Sequence, residues 1–135
     1  MTIQVYVACD GDWKEPEIRV SGSAKSLADL GKLLNGVTGP ITLKIPTLES
    51  EFYPVSMPTL VIELDHLGND RLTVTIDESK FKLTGTNVAF NKLGDSLVNF
   101  FDAGASIGEH FQLDYFKGNE VLNDTNAHFI FICDR

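Results

Sequence analysis

An internal repeat constrains the fold of this chain more than any other feature of its sequence. Residues 18–35 align with residues 81–98 at a constant shift of 63 positions. Four positions are identical in the two copies, since Gly22, Leu30, Gly31 and Leu34 match Gly85, Leu93, Gly94 and Leu97. Two apolar strand patterns recur further downstream, at shifts of 70 and 69 positions. Self-similarity of this kind is typical of duplicated units that bury one joint core.

The apolar periodicity predicts which segments are strands and which are helices. Alternating apolar residues predict eight strands, which begin near Ile3, Ile18, Ile41, Leu60, Leu72, Phe81, Phe111 and Phe129. Apolar residues at helical spacing predict two helices, over residues 24–35 and 87–101. Ser23 and Thr86 precede these helices as the expected N-caps, and Gly36 follows the first one as its expected stop.

Each repeat unit is therefore expected to run strand, strand, helix, strand, strand. We predict a single domain over residues 1–135, with unit one at about 1–65 and unit two at about 66–135. The predicted fold class is α+β, in which two tandem ββαββ units form a mainly antiparallel sheet of about eight strands. Both helices would lie on one face of this sheet, with a pseudo-twofold axis between the units. Two separate small sheets are the alternative, because each unit alone would be marginally stable.

A glycine occupies the same position in both predicted helices. Gly31 and Gly94 lie on the apolar faces of their helices, where glycine costs about 1 kcal/mol relative to alanine. Such a cost usually has a packing reason. We predict that each glycine lets its helix closely approach the sheet or the other helix, and that leucine there would destabilise the fold.

The composition excludes several classes of partner. The formal net charge is −8, and phosphate contacts need lysine and arginine, so we expect no binding to nucleic acid. The sequence has no apolar run close to the roughly 18 residues of a membrane span. Its first residues lack the basic start and apolar stretch of a secretion signal. We therefore expect a cytoplasmic protein without membrane contact, whose acidic loops favour a basic protein partner.

Strand alternation also predicts a surface that faces away from the helices. Tyr6, Phe116, Ile130 and Ile132 are apolar where solvent is expected, and an open apolar patch often marks an interface. Loops of the chain, or a second copy in a homodimer, could equally cover this patch. The predicted partner-binding residues are Tyr6, Glu63, His110, Gln112, Asp114, Phe116, His128, Ile130 and Ile132.

The sequence has few candidates for a catalytic or metal-binding site. His110, His128 and Asp114 could form a zinc or catalytic centre, but no histidine spacing typical of a metal site accompanies them. Serine-hydrolase elbows and phosphate-binding loops are also absent from the sequence. Cys9 and Cys133 cannot form a disulfide framework. We therefore expect no enzyme, no metal and no cofactor. A small-ligand module with a groove between the two halves is the alternative to protein binding, and an enzyme centred on the two histidines ranks last.

Several short motifs in the second unit match one protein family. They are Leu83-Thr84-Gly85, then Phe90, Leu93 and Leu97, then residues 108–116 (GEHFQLDYF), and finally Leu122, Asp124-Thr125 and Phe129-Ile130-Phe131. Unit one matches more weakly, through residues 18–22 (IRVSG), Leu27, Leu30, Leu34, Ser56 and Leu60-Val61-Ile62. In these positions the chain resembles the immunity protein 32 family of bacterial polymorphic toxin systems. The resemblance implies a cytoplasmic, non-catalytic protein that neutralises a cognate toxin by occupying its active site or a nearby surface. The acidic charge favours a basic toxin domain.

Overall fold

The structure is a computed structural model that describes residues 3–46, 48, 50–77 and 80–135. It contains nine strands and two helices within these residues. In chain order they are β1 Val5–Cys9, β2 Glu17–Gly22, α1 Ala24–Asn35, β3 Ile41–Lys44, β4 Val55–Ser56, β5 Thr59–Leu64, β6 Thr73–Asp77, β7 Lys80–Gly85, α2 Asn87–Phe101, β8 His110–Asp114 and β9 His128–Cys133. The α+β class with two helices is confirmed, and the short strand β4 is added to the eight that were expected.

The strands form two sheets and not one. The five-stranded sheet has the order β4-β1-β2-β9-β8, and the four-stranded sheet has the order β3-β5-β7-β6. The central pairs β2–β9 and β5–β7 are parallel, and all other pairs are antiparallel. The single sheet of about eight strands was therefore wrong, and the alternative of two smaller sheets is the one that the structure has.

Each sheet combines one hairpin from each half of the chain. The first hairpin of unit one (β1–β2) joins the last hairpin of unit two (β8–β9), and the reciprocal hairpins form the other sheet. The central pairings have the same register. Ile18 of β2 lies beside Phe129 of β9, and the repeat-equivalent residue Phe81 of β7 lies beside Leu60 of β5. Neither half therefore has a complete sheet of its own.

The helices begin at the expected N-caps. The Ser23 Oγ accepts a hydrogen bond from the Ser26 N–H at 3.0 Å, and the Thr86 Oγ1 accepts one from the Ala89 N–H at 3.2 Å. These bonds satisfy N–H groups that the first turn of a helix leaves without a partner. At the other end of α1, the Gly36 N–H donates to the Leu33 carbonyl at 3.0 Å. Local sequence chemistry therefore sets where both helices start and where α1 ends.

One hydrophobic core is shared by both sheets and both helices. Helix α1 packs on the five-stranded sheet, α2 packs against β7, and the two helices contact each other. The sheets also touch directly, because the rings of Phe81 and Phe129 lie 5.4 Å apart between their centroids. A cavity of about 20 Å³ lies among these layers. Because the core is so well filled, both sheets present only their outer faces and loop ends to other molecules.

Candidate functional site

Seven of the nine predicted binding residues share the outer face of the five-stranded sheet. Cross-strand pairing sets their order, with Asp114 beside His128, Gln112 beside Ile130, and His110 beside Ile132. Tyr6 completes the last row, since it pairs with Ser21 of β2, which in turn pairs with Ile132. The structure thus brings together Tyr6, His110, Gln112, Asp114, His128, Ile130 and Ile132.

The placement of Glu63 with these residues was wrong. Glu63 lies on β5 in the four-stranded sheet, where its carboxylate is 2.9 Å from the Lys82 ammonium. The prediction assumed one continuous sheet, in which alternation alone would put Glu63 on the same face. Because β5 pairs with β7 and not with β2, its outward face belongs to another surface.

Part of the predicted apolar patch is covered by the chain itself. The Arg135 guanidinium lies 4.4 Å from the centre of the Tyr6 ring, and Arg19 lies 5.7 Å from that of Tyr53. The Tyr53 hydroxyl donates to the Glu17 carboxylate at 2.8 Å. Burial and this acidic partner raise the pKa of Tyr53 to about 12. Tyr53 therefore remains a neutral donor over this part of the sheet.

His128 is held between two carboxylates from different parts of the chain. Its Nδ1 lies 2.7 Å from Asp114 Oδ1 on the neighbouring strand, and its Nε2 lies 2.8 Å from Glu15 Oε1 in the β1–β2 loop. The hydrogen bond to Glu15, and then the one to Asp114, raise the pKa of His128 above its usual value. Because both ring nitrogens are engaged, neither is free to act as a base or as a metal ligand.

The sequence also grouped His110 with His128, and the structure separates them along the sheet. His110 lies at the start of β8 beside Ile132, whereas His128 lies beside Asp114 at the other end of that strand. The His110 Nδ1 is 3.3 Å from the Gly108 carbonyl oxygen. Over the described ranges, no group of three or more His, Cys, Asp or Glu residues is arranged to hold a metal ion. The two cysteines are buried free thiols.

Phe116 lies beyond the end of β8, on a loop that an internal amide organises. The buried Asn119 side chain donates to the Phe116 and Leu122 carbonyls, at 2.8 and 3.1 Å. Its oxygen accepts from the Val121 and Leu122 N–H groups, at 3.0 and 2.7 Å. The loop is also attached to the segment before β6, since the Leu72 N–H donates to the Val121 carbonyl at 2.8 Å. Phe116 is 64% exposed on this fixed support.

The β1–β2 loop is fixed in a similar way. The Asp10 carboxylate accepts from the N–H groups of Asp12 and Glu17, at 3.0 and 3.2 Å. The Asp12 carboxylate accepts from the Lys14 N–H at 3.1 Å. These acids therefore organise the loop, and the same loop carries Trp13, which is 53% exposed.

Three adjoining depressions, each of which shares lining residues with the next, run along these loops. The first lies beside Trp13 and the β6 residues Val74 and Ile76, and it shares Thr125 and Asn126 with the second. The second lies between Glu15, Phe116, Asp124 and His128, and the third continues from His128 to Gln112 and Ile130. The three volumes are about 200, 410 and 210 Å³ in that order. We call this surface the Trp13 groove.

Sequence reasoning missed Trp13, and it included Glu15 and Asp124 only among the acidic loop residues that favour a basic partner. All three lie in loops, where no strand or helix periodicity assigns a face. The available signal was Trp13 itself, the only tryptophan of the chain, placed in a turn-rich acidic segment where it has no apolar neighbours in sequence.

Comparison with protein-family models, with curated proteins and with solved structures finds no match to this chain. The resemblance to the immunity protein 32 family therefore stays a prediction from the sequence motifs. Neither helix in the part of the chain that the structure describes has the length and apolar character needed to cross a membrane.

Proposed function

We propose that this chain is a non-catalytic immunity protein of a bacterial polymorphic toxin system. In this proposal it binds a cognate, basic toxin domain in the cytoplasm and neutralises it by occluding the active site or a nearby surface. The observation that carries the proposal is the continuous surface of the outer sheet face and the Trp13 groove. There, exposed aromatic rings stand among carboxylates on loops held by internal hydrogen bonds.

This combination suits recognition of a protein partner. Exposed aromatic side chains contribute strongly to binding at protein interfaces, and they do so best when they are already fixed before binding. The net charge of −8 favours fast association with a basic partner through long-range attraction. The equal register of β2–β9 and β7–β5 further supports an origin of the two halves by internal duplication.

The alternative of a small ligand between the two halves has less support. The cavity that both sheets and both helices enclose has a volume of about 20 Å³. A cavity of that size holds about one water molecule, whereas pockets for drug-sized ligands usually have several hundred cubic ångströms. The depressions of the Trp13 groove are large enough, but they are open and their lining is mainly polar, whereas small-ligand pockets are mostly apolar and bury most of the ligand.

The direct test is co-expression with the toxin-like protein encoded beside the gene for this chain. We expect growth to be restored and a stable complex to appear in size-exclusion chromatography. The variant Gln112→Lys should weaken both, because it adds a positive charge to the exposed edge strand β8 where a basic partner would bind.

The matched control is Thr42→Lys, which adds the same charge to an exposed position of β3, the edge strand of the four-stranded sheet farthest from β6. It should rescue growth as well as the parent chain. The proposal fails if the parent chain neither restores growth nor forms a complex. A Thr42→Lys chain that loses rescue as completely as Gln112→Lys would contradict the choice of surface.

A further inference from the structure

The Trp13 groove has an excess of negative charge in its second and third depressions. Its carboxylates are Glu15, Glu17, Asp114 and Asp124, and its basic residues are Lys14 and His128. His128 is shared by two of these carboxylates, and the groove keeps two uncompensated negative charges even when the imidazole is protonated. The groove therefore attracts cationic groups.

The same groove offers apolar contacts between these carboxylates. Trp13 and Phe116 are large and mostly exposed, and half-buried Val74, Ile76 and Ile130 line its floor. Exposed aromatic rings favour the stems of long side chains and the planar face of guanidinium groups. A ligand that alternates positive and aliphatic side chains would match both features at once.

The groove is also preformed, because each of its two walls is held by internal hydrogen bonds. The His128 ring links the β1–β2 loop to β8. The backbone N–H of His128 also donates to the Pro16 carbonyl of that loop at 2.8 Å. The opposite wall is held by the four hydrogen bonds of Asn119. Few residues of this chain would therefore become ordered when a partner binds, so little binding free energy is lost to conformational entropy.

We propose that the Trp13 groove is the docking site for an extended, basic segment of a partner protein. Arginine or lysine side chains of that segment bind the carboxylates, and its aliphatic side chains pack against Trp13 and Phe116. This inference deepens the proposed function by assigning the surface and the chemistry of the partner. A second copy of this chain is the less suitable occupant, because its own net charge is also −8.

The test uses the full chain and a fluorescein-labelled peptide that alternates arginine and leucine. Fluorescence anisotropy should show saturable binding that weakens as salt increases. Trp13→Ala should weaken binding about tenfold, as loss of a central aromatic contact does. Asp124→Asn should weaken it about two- to fivefold, as expected for one exposed charge pair. A peptide with citrulline in place of arginine should bind far more weakly, since it keeps the shape and loses the charge.

Two variants outside the groove serve as matched controls. Ile107→Ala removes an exposed apolar side chain before β8, at the end of that strand away from Asp114. Asp29→Asn removes one carboxylate from α1, where Asp29 pairs only with Lys25 among the ion pairs described. Both should bind the arginine peptide like the parent chain.

Three results would overturn the docking site. They are no saturable binding up to about 1 mM peptide, equal binding of the citrulline peptide, and a Trp13→Ala chain that binds like the parent. Peptide binding with failed rescue from the toxin would overturn the proposed function and leave the docking site intact. If the chain restores growth against the toxin but the peptide does not bind in the groove, the docking site is wrong and the proposed function stands.

Discussion

Gly31 of α1 and Gly94 of α2 face each other where the two helices cross. A Cβ atom built on Gly31 would lie 2.7 Å from the Gly94 carbonyl oxygen, and one built on Gly94 would lie 2.6 Å from that of Gly31. The Asn35 amide donates to the Asp95 carboxylate at 3.1 Å beside this crossing. The repeated glycine therefore serves close approach of the helices to each other, which is one of the two arrangements that the sequence suggested.

Substitution at this crossing should destabilise the fold. Gly31→Ala and Gly31→Leu both place atoms against the backbone of α2, so the helices must separate. We expect the free energy of unfolding in urea to fall by about 1–3 kcal/mol, with leucine at the upper end. Gly39→Ala is the matched control, because nothing lies within 4 Å of a Cβ there. Equal unfolding midpoints for Gly31→Leu and the parent chain would show that the helices do not depend on this contact.

Asn119 should be the most sensitive polar residue of the β8–β9 loop. Asn119→Ala removes four hydrogen bonds and leaves the carbonyl and N–H of Leu122 without this partner in a buried position. We expect a loss of about 2–3 kcal/mol in the free energy of unfolding. Asn126→Ala, at an exposed position of the same loop, should change stability by less than about 0.5 kcal/mol. If the two variants unfold at the same urea concentration, the loop is not organised by Asn119.

His128 should make stability depend on pH in one direction. Glu15 and Asp114 raise its pKa in the folded state, so the folded chain keeps this proton to higher pH than the unfolded chain does. The stabilisation is complete below the unfolded pKa of about 6.5, and it is lost as the pH rises through the folded value. The His128 side chain is 42% exposed, so we expect less than about 1 kcal/mol after solvent screening.

NMR titration of the His128 ring carbons measures this effect directly. In the double variant Glu15→Gln with Asp114→Asn the midpoint should move to lower pH, and the stability difference between pH 6 and pH 9 should shrink. Asp29→Asn is the control for loss of a carboxylate elsewhere. An unchanged His128 midpoint in the double variant would contradict the assignment of the cause.

The exchange of hairpins predicts how the halves behave when they are separated. A fragment of residues 1–65 lacks the partners β7 and β9, and a fragment of residues 66–135 lacks β2 and β5. Each fragment would expose the core that the two halves share, so neither should unfold cooperatively alone. Mixed in equal amounts, they should regain the circular dichroism spectrum of the whole chain. Cooperative unfolding of either fragment by itself would show that the halves are independent domains.

The candidate site could be predicted only where strand alternation applies. The pairs Asp114–His128 and Gln112–Ile130 lie on one face as expected, because alternation along β8 and β9 fixes which side chains point outward. Glu63 was assigned to the same face by the same rule, and the rule failed because it does not say which strands share a sheet. Trp13 was missed, and Glu15 was not placed beside His128, because a loop has no periodicity.

The sequence by itself determined the local structure of this protein. Helical and alternating apolar patterns and the N-caps Ser23 and Thr86 depend on neighbours a few residues away, so they can be predicted along the chain. Only the tertiary structure decided that β2 pairs with β9 and β5 with β7. It also brought Glu15 to His128, 113 positions away. Those choices depend on which arrangement of the two halves buries the most apolar surface, a property of the whole chain and not of any one segment.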